Sequence, residues 1–291
     1  MDMLPLTQWS ADAAARIHGV FTDIDDTLTT EGAITPDVIE ALALLRAAGV
    51  QVIPITGRPI GWCEPWMTGR PGAALLPVDV MVAENGAVAF SRAVHEQAAS
   101  GAGTGTGTAA AAATASPGLV KRYQQDAATR EAHQALLPRI AARVQAEVPG
   151  VELSRDSGGR ETDIAFDYAE FAHHPPEVVE RVLRVLQDEG MRTTVSSIHI
   201  HGCFGDFDKW KGARWIVSEL LQRDLSAELD RWVFVGDSGN DQPMFQHFVH
   251  SVGVANIAHV AARLTHLPTY VTRQPRGAGF CEVAQAILAA R

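Results

Sequence analysis

The sequence lacks several features that define common classes of protein. Its 291 residues include only three cysteines, Cys63, Cys203 and Cys281, which lie far apart and form no CxxC pair. Neither a disulfide framework nor a zinc cluster is therefore expected. No stretch approaches the ~20 apolar residues that span a bilayer, and the first residues show no basic segment before an apolar run. These absences predict a cytoplasmic protein with no membrane partner.

Positive charge is also scarce. Lysine and arginine together number 24 against 34 aspartate and glutamate residues, which gives a formal net charge of −10. General nucleic-acid binding requires a basic surface that neutralises phosphates, so no nucleic-acid partner is expected. A single small phosphate site stays compatible with this charge, because a bound cation inverts the charge locally.

Short apolar runs alternate with helical patterns at both ends of the chain. The predicted strands are residues 19–22, 50–56, 78–84, 232–236, 250–255 and 268–272. Because these strands are almost continuously apolar and helices separate them, the pattern predicts an α/β fold with a Rossmann-like parallel sheet covered on both faces. Ligands of such sheets bind beyond the carboxyl ends of the strands.

The middle of the chain follows a different pattern. Residues 98–116 contain only Ala, Gly, Ser and Thr, which predicts a flexible low-complexity loop. A helical stretch over about 127–147 and strands near 151–155, 162–167 and 193–201 follow it. We interpret residues 90–207 as an α+β cap domain inserted into a core formed by residues 1–89 and 208–291.

Acidic residues follow the first strand directly, at Asp23, Asp25 and Asp26. Three acids within four residues repel one another unless a cation or a proton offsets their charge. Asp23 and Asp25 can face a common site, where one acts as a nucleophile and the other supplies a proton to a leaving oxygen. Taken alone, the same cluster is also compatible with an Asp-rich turn or a helix N-cap.

Two further clusters suit a phosphate group. Thr56-Gly57-Arg58 follows the strand 50–56 and offers a hydroxyl, a close backbone approach and a cation, although a plain strand-to-helix turn has the same residues. Lys209 and Lys211 open a helix, where lysine opposes the helix dipole. A lysine ammonium pairs well with both a phosphate and an aspartate nucleophile, although most lysines are simply solvated.

The loop after the strand 232–236 carries Asp237, Asn240 and Asp241. Two carboxylates and an amide on a tight glycine-containing turn are hard oxygen ligands that suit Mg²⁺. An Asp-rich loop without a metal is the alternative interpretation.

Taken together, the motifs FTDIDDTLT, PITGRP, KGARW and VGDSGND, in this order, resemble the haloacid dehalogenase superfamily. The insertion between the second and third motifs, with Glu84-Asn85-Gly86 just before it, resembles the type IIB subfamily. That group includes Cof-like sugar-phosphate phosphatases and the trehalose- and sucrose-phosphate phosphatases.

The resemblance implies a role for each matching residue. Asp23 is the implied nucleophile, and Asp25 is the implied general acid/base. Thr56, Gly57, Arg58, Lys211 and Asn240 are implied to bind the phosphate, with Lys211 preferred over Lys209 as the lysine of the third motif. Asp23, Asp25, Asp237 and Asp241 are implied to hold Mg²⁺.

The acid at position 25 narrows the activity that the resemblance implies. Dehalogenase-type members lack this acid, which leaves a phosphatase of a small phosphorylated substrate, with a sugar phosphate preferred. A phosphosugar mutase with the same chemistry and a non-catalytic phosphosugar-binding protein stay as alternatives. Ser197, His199 and His201 are candidates for cap residues that face the substrate, with packing or a surface role as the alternative.

Overall fold

The structure is a computed structural model and describes residues 3–69, 75–92 and 119–291. The predicted loop at 98–116 lies outside these residues. The strands are β1 Leu4–Pro5, β2 Gly19–Thr22, β3 Thr29–Thr30, β4 Ala33–Ile34, β5 Gln51–Pro54, β6 Val80–Ala83, β7 Val88–Arg92, β8 Leu119–Tyr123, β9 Asp163–Asp167, β10 Arg192–Val195, β11 His199–Cys203, β12 Trp232–Gly236, β13 His250–Gly253 and β14 Tyr270–Val271. The helices are α1 Ala11–Ala15, α2 Pro36–Ala47, α3 Ile60–Thr68, α4 Ala127–Gln134, α5 Leu137–Glu147, α6 Pro176–Asp188, α7 Lys209–Leu221, α8 Gln242–His247 and α9 Arg276–Ala289.

A six-stranded sheet forms the centre of the protein, in the order β1-β14-β13-β12-β2-β5. Every pair of neighbours in it is parallel. Val20 of β2 packs with α2 and α9 on one face, while the next residue, Phe21, packs with α7 and α8 on the other. Side chains alternate between the two faces of a strand, so a nearly continuous apolar strand buries both faces. The predicted α/β fold with a parallel sheet is confirmed.

The hairpin β6–β7 corrects the predicted domain boundary at residue 90. The three-residue turn Glu84–Gly86 reverses the chain, so that β6, β7 and β8 form a separate antiparallel sheet. This sheet meets the parallel sheet through a bridge between Ile55 and Val82. Phe90 and Leu119 are buried in the same apolar cluster as the core helices. Because these side chains pack against the core, β7 and β8 belong with the core and not with the cap.

The cap is built on an antiparallel sheet in the order β10-β11-β9, with α5 and α6 packed against it. Its apolar cluster combines residues of these helices with Phe166 and Ile200 of the sheet. The predicted helix over 127–147 is divided into two helices, with Ala135 and Leu136 in the turn between them. Pro138 lies in the first turn of the second helix, where its missing N–H is tolerated.

One property follows from the lengths and compositions of these helices. Among the helices of the described residues, none is both long enough and apolar enough to cross a membrane.

Candidate active site

Three neighbouring strands of the parallel sheet end at the same edge. The register pairs Val235 of β12 with Thr22 of β2, and Thr22 with Pro54 of β5. Since parallel strands end together, Asp23, Thr56 and Asp237 lie just beyond these paired positions. All three side chains are buried. The predicted nucleophile, phosphate-binding hydroxyl and metal ligand therefore share one edge of the sheet.

A lysine lies directly against Asp23. The ammonium Nζ of Lys209 is 2.6 Å from Oδ1 of Asp23 and 2.7 Å from Oδ1 of Asp241. The Lys209 side chain is fully buried. Burial lowers the pKa of Lys209, but the two carboxylates outweigh that effect and raise it overall. Lys209 is therefore a permanent cation beside the carboxylate that the sequence predicts as nucleophile.

The preference for Lys211 in this position is wrong. The Lys211 side chain is 38% exposed and pairs with Asp206 on the surface. Asp208 is the N-cap of α7, and its side chain accepts a hydrogen bond from the backbone N–H of Lys211. Because successive helix positions turn by about 100°, residues two apart point in nearly opposite directions. Only one of the two lysines can therefore face the sheet. In the helix that begins after the N-cap residue Asp208, that lysine is Lys209.

The carboxylates around Lys209 outnumber the cations. Burial raises the pKa of Asp23 to about 7; Lys209 opposes this shift, while Asp241 and Asp25 add to it. Burial also raises the pKa of Asp237 well above its usual value, and the charges of Asp23 and Asp241 raise it further. One ammonium therefore does not offset the negative charge of this cluster, which would be stabilised by a further cation.

The geometry of the same carboxylates suits a divalent metal. Asp23, Asp237 and Asp241 each offer an oxygen, and these oxygens lie within 4.8 Å of one another. Carboxylate oxygens are the ligands that Mg²⁺ prefers. The donor set and the uncompensated charge both fit such an ion.

The predicted metal ligands differ in the partners that their carboxylate oxygens already have. Oδ1 of Asp241 is held by Lys209, and its Oδ2 accepts hydrogen bonds from the backbone N–H groups of Asp237 and Ser238. Asp241 is therefore placed to anchor Lys209 and the loop. In Asp23 only Oδ1 contacts Lys209, whereas Asp237 accepts hydrogen bonds from two neutral groups, the Thr27 hydroxyl and the Asn256 amide.

The second motif lies between the core and the cap. The Thr56 hydroxyl accepts a hydrogen bond from the backbone N–H of Arg58 at 3.0 Å. The carbonyl of Gly57 accepts one from Arg160 of the cap, also at 3.0 Å. A Cβ at Gly57 would lie 2.9 Å from Nε2 of His201, which is closer than side chains tolerate. Glycine is therefore needed at position 57 for the cap to approach the core.

Arg58 joins the predicted acid/base to the cap. Its guanidinium donates to both oxygens of Asp25 at 2.9 Å and, on the cap side, to Glu170 at 2.7 Å and Asp156 at 3.1 Å. The fork of N–H donors in arginine suits several carboxylates at once. In this structure Arg58 therefore faces carboxylates rather than an open phosphate site, and its predicted phosphate role stays a prediction.

Asn85 and Asn240 contact each other beside Lys209 and line the same cavity. The Asn240 amide donates to the side-chain oxygen of Asn85 at 2.9 Å, and its own oxygen accepts from the Ser238 hydroxyl. Asn85 has a φ of 53°, in the left-handed region that asparagine tolerates better than most residues. The tight turn after β6 thus brings Asn85 to the loop that follows β12.

Several polar residues of the site were missed by sequence reasoning. The cap contributes Asp156, Arg160, Asp163 and Glu170, which bond to Arg58, to Gly57 or to one another. They lie about a hundred positions from Arg58, and no local motif contains them. The two histidines of β11 join the same network, since His199 pairs with Glu170 and His201 with Asp163.

Three solved structures with similar folds are described as sugar phosphatases. The sucrose-phosphatase of Synechocystis sp. PCC6803, solved with sucrose and phosphate, has a TM-score of 0.60 and 14% identity, over 93% of this chain and 97% of that chain. The C-terminal domain of trehalose-6-phosphate phosphatase from C. albicans has a TM-score of 0.64 and 13% identity, over 99% and 98%. A sugar phosphatase of subclass IIB of the haloacid dehalogenase superfamily has a TM-score of 0.57 and 16% identity, over 94% and 99%. At these identities the similarity shows the fold.

Sequence comparison identifies the family. Among curated proteins, none matches this chain. The profile of haloacid dehalogenase-like hydrolases matches residues 20–100. The profile described as sucrose-6F-phosphate phosphohydrolase matches residues 123–285, which is more than half of the chain. The chain therefore belongs to the sucrose-6F-phosphate phosphohydrolase family, a family of phosphatases within the haloacid dehalogenase superfamily.

Proposed function

We propose that the protein is a Mg²⁺-dependent phosphatase that hydrolyses a sugar phosphate through an aspartyl-phosphate formed on Asp23. The observation that carries this proposal is the contact of 2.6 Å between Nζ of Lys209 and Oδ1 of Asp23. This contact lies inside a buried cluster in which Asp237 and Asp241 leave negative charge uncompensated. A nucleophile, a fixed cation and a cation-deficient pocket are what phosphoryl transfer to a carboxylate requires.

Asp23 and Asp237 would hold Mg²⁺, with Asp241 supporting them. When bound, the ion would neutralise phosphate oxygens and offset the repulsion between the substrate and the buried acids. Lys209 supplies a second positive charge from the side of α7. Asp241 holds that ammonium at 2.7 Å, so the lysine is already oriented before the substrate arrives.

In the first step, an oxygen of the Asp23 carboxylate forms a bond to phosphorus while the bond from phosphorus to the leaving oxygen breaks. Asp25 donates a proton to that oxygen, so the sugar leaves as an alcohol. Arg58 holds both oxygens of Asp25 in this structure, so proton delivery requires Arg58 to release one of them. Movement of the cap would provide such a release, because Glu170 and Asp156 of the cap hold the same guanidinium.

In the second step, water attacks the phosphorus of the aspartyl-phosphate and gives up a proton to Asp25. The bond between phosphorus and Asp23 breaks, which releases inorganic phosphate and restores both carboxyl groups to their starting states. The buried position of the site keeps bulk water away until the sugar has left.

The sugar phosphate is supported by the relatives. The family takes its name from a sucrose phosphate, and the similar Synechocystis structure contains sucrose and phosphate. The fold of the trehalose-6-phosphate phosphatase domain is also similar. All of these substrates are phosphate monoesters of polyhydroxylated alcohols.

The test is a measurement of phosphate release from hexose, disaccharide and polyol monophosphates and from p-nitrophenyl phosphate, with Mg²⁺ or with EDTA. We expect turnover that requires Mg²⁺, with sugar monophosphates as the best substrates. Acid quenching during turnover should trap phosphate on the peptide that contains Asp23. Absence of turnover on every monoester in the presence of Mg²⁺ would contradict the proposal.

A further inference from the structure

A fixed histidine of the cap lies against the phosphate-binding loop of the core. Asp163 of β9 and His201 of β11 share one face of the cap sheet, and Nδ1 of His201 is 3.1 Å from the Asp163 carboxylate. Arg160 donates to both oxygens of Asp163, at 2.9 and 3.0 Å, and also to the carbonyl of Gly57. The imidazole is therefore held by a carboxylate that Arg160 links to the core.

The other ring nitrogen of His201 has no partner among the described residues. Nε2 is buried and makes no hydrogen bond, and only 3% of the residue is exposed, so solvent does not supply a partner. Burial lowers the pKa of His201 to about 4, against the opposing effect of Asp163, so the ring is neutral at neutral pH. The carboxylate fixes the ring proton on Nδ1, which leaves Nε2 as a hydrogen-bond acceptor. A buried acceptor without a donor is costly, so a donor is expected from outside the chain.

A cavity of about 350 Å³ is lined in part by His201, and its walls come from both domains. The cap contributes His201, Thr193 and Thr194, and the core contributes Asn85, Lys209 and Asn240. The volume is within the range of small-molecule sites. Hydroxyl and amide groups in the wall match a ligand that carries several hydroxyls, and Lys209 connects this cavity to Asp23.

We infer that His201 is a specificity-determining residue whose Nε2 accepts a hydrogen bond from a hydroxyl of the leaving alcohol, held in this cavity between the cap and Lys209. The inference rests on the proposed function and specifies how the substrate is selected. Asp163 acts through His201 as a positioning residue, since it fixes the ring and its tautomer. A monoester without hydroxyls on its leaving group cannot supply the donor and leaves Nε2 unpaired.

The test compares selectivity rather than activity alone. For the wild type and for His201→Ala, kcat/KM is measured on the best-hydrolysed sugar monophosphate and on p-nitrophenyl phosphate, whose leaving group carries no additional hydroxyl. We expect the ratio of the two values to fall about 10-fold or more in His201→Ala, because only the sugar loses a partner. His201→Gln keeps an acceptor and should recover part of the ratio. A fall in both activities at an unchanged ratio would overturn the inference.

Two control variants test which cavity holds the leaving group. His173→Ala removes an exposed cap histidine and should leave the ratio as in the wild type. Ser197→Ala removes another unpartnered buried group, which lines a second cavity of about 350 Å³ on the side of Asp237. If Ser197→Ala changes the ratio and His201→Ala does not, the leaving group lies in the second cavity and the inference is wrong.

A binding measurement separates failure of this inference from failure of the proposed function. In the Asp23→Asn background with Mg²⁺, where no turnover is expected, calorimetric titration with the sugar monophosphate should show about 10-fold weaker binding when His201→Ala is added. Loss of binding in a protein that never shows turnover would support the inference and contradict the proposed function. Equal binding with and without His201 would overturn the inference whatever the activity. Circular dichroism and thermal melts of both His201 variants confirm that they are folded.

Discussion

Two buried clusters of charge lie side by side in this protein, and they balance their charges in different ways. Around Lys209, Asp23 and Asp241 share one ammonium, while Asp237 has no cation in direct contact among the described residues. Between the core and the cap, Arg58 contacts Asp25, Asp156 and Glu170, and Arg160 contacts Asp156 and Asp163. Each of these four carboxylates therefore touches a guanidinium.

The pKa values follow this difference. Burial raises the pKa values of Asp23 and Asp237, and a single ammonium does not reverse the shift. Burial also tends to raise the pKa values of Asp163 and Glu170, but both are lowered overall. Arg160 lowers the pKa of Asp163, and hydrogen bonds from His199 and Arg58 lower that of Glu170. The first cluster has too little positive charge to offset its carboxylates, which fits a site for a metal ion. The second is internally paired and serves as the joint between the two domains.

The largest expected effect concerns Asp23, the proposed nucleophile in the first cluster. Asp23→Asn keeps the shape of the side chain but removes the attacking carboxylate, so phosphate release should fall by at least ~10³-fold. Because the change also removes a crowded charge, the metal-free variant should melt no lower than the wild type. Asp12→Asn, at an exposed position of α1, is the matched control. Near-wild-type turnover in Asp23→Asn would show that another group forms the covalent bond.

The two lysines of α7 give the next largest contrast. Lys209→Ala should lower kcat/KM by about 10²-fold or more, because it removes the fixed charge beside Asp23. It also leaves buried carboxylates unpaired, which should cost about 3–5 kcal/mol of unfolding free energy. Lys211→Ala, on the surface of the same helix, should change kcat/KM by less than about 3-fold. Steady-state kinetics and urea unfolding check both variants, and the reverse ranking would assign the role to Lys211.

Mg²⁺ should stabilise the first cluster in a manner that depends on pH. The pKa of Asp23 is raised from 3.8 to about 7 in the folded protein, so the folded state retains a proton that the unfolded state has lost within this window. Stability from this group is therefore present at low pH and is lost as the pH rises through about 7. Added Mg²⁺ should raise the melting temperature more at about pH 8 than at about pH 5, since the ion binds the charged form. At saturating metal the gain should be on the order of 2–3 kcal/mol.

The control for the metal effect removes a ligand. Asp237→Asn should lose most of the stabilisation by Mg²⁺, whereas Asp12→Asn should keep it. Thermal melts in EDTA and in Mg²⁺ at both pH values measure this. A stabilisation that is the same at both pH values, and the same in Asp237→Asn, would place the metal elsewhere.

The second cluster should respond to acid in the opposite sense. The pKa of Glu170 is lowered from 4.5 to about 2, so its contribution to stability is present above pH 4.5 and is lost as the pH falls towards 2. Glu170→Gln should reduce the unfolding free energy by only about 1 kcal/mol near neutral pH, because solvent screens this partly exposed pair. The variant should also lose less stability than the wild type on acidification.

The matched control is Glu147→Gln, which removes a surface partner of Arg143 within a single cap helix. Urea unfolding from about pH 3 to about pH 7 distinguishes the two variants. If they behave alike, Glu170 contributes no more than a surface ion pair, and the contrast between the two clusters does not hold.

Local sequence determined the fold class and the position of the acidic motifs. Alternating apolar strands and helices predicted the parallel sheet, because burial on both faces leaves a direct pattern in the residues. The pattern of α7 also contained information that the sequence interpretation did not use. Lys209 lies on the same stripe as the buried residues Ala213, Ile216 and Leu220, at the spacing of a helix face, and Lys211 does not. The choice between the two lysines could have been made from that periodicity.

Tertiary structure alone decided the joint between the core and the cap and the boundary between them. Arg58 was readable as a phosphate ligand because nothing near it in the sequence indicated Asp156 or Glu170 as partners. The hairpin β6–β7 was placed across the domain boundary for the same reason, since its partner β8 lies beyond residue 118. Pairings between distant segments depend on how strands and helices pack, and periodicity within a segment carries no information about them. The sequence therefore predicted which groups carry the chemistry, and the packing of the cap on the core decided which of these groups form ion pairs with one another.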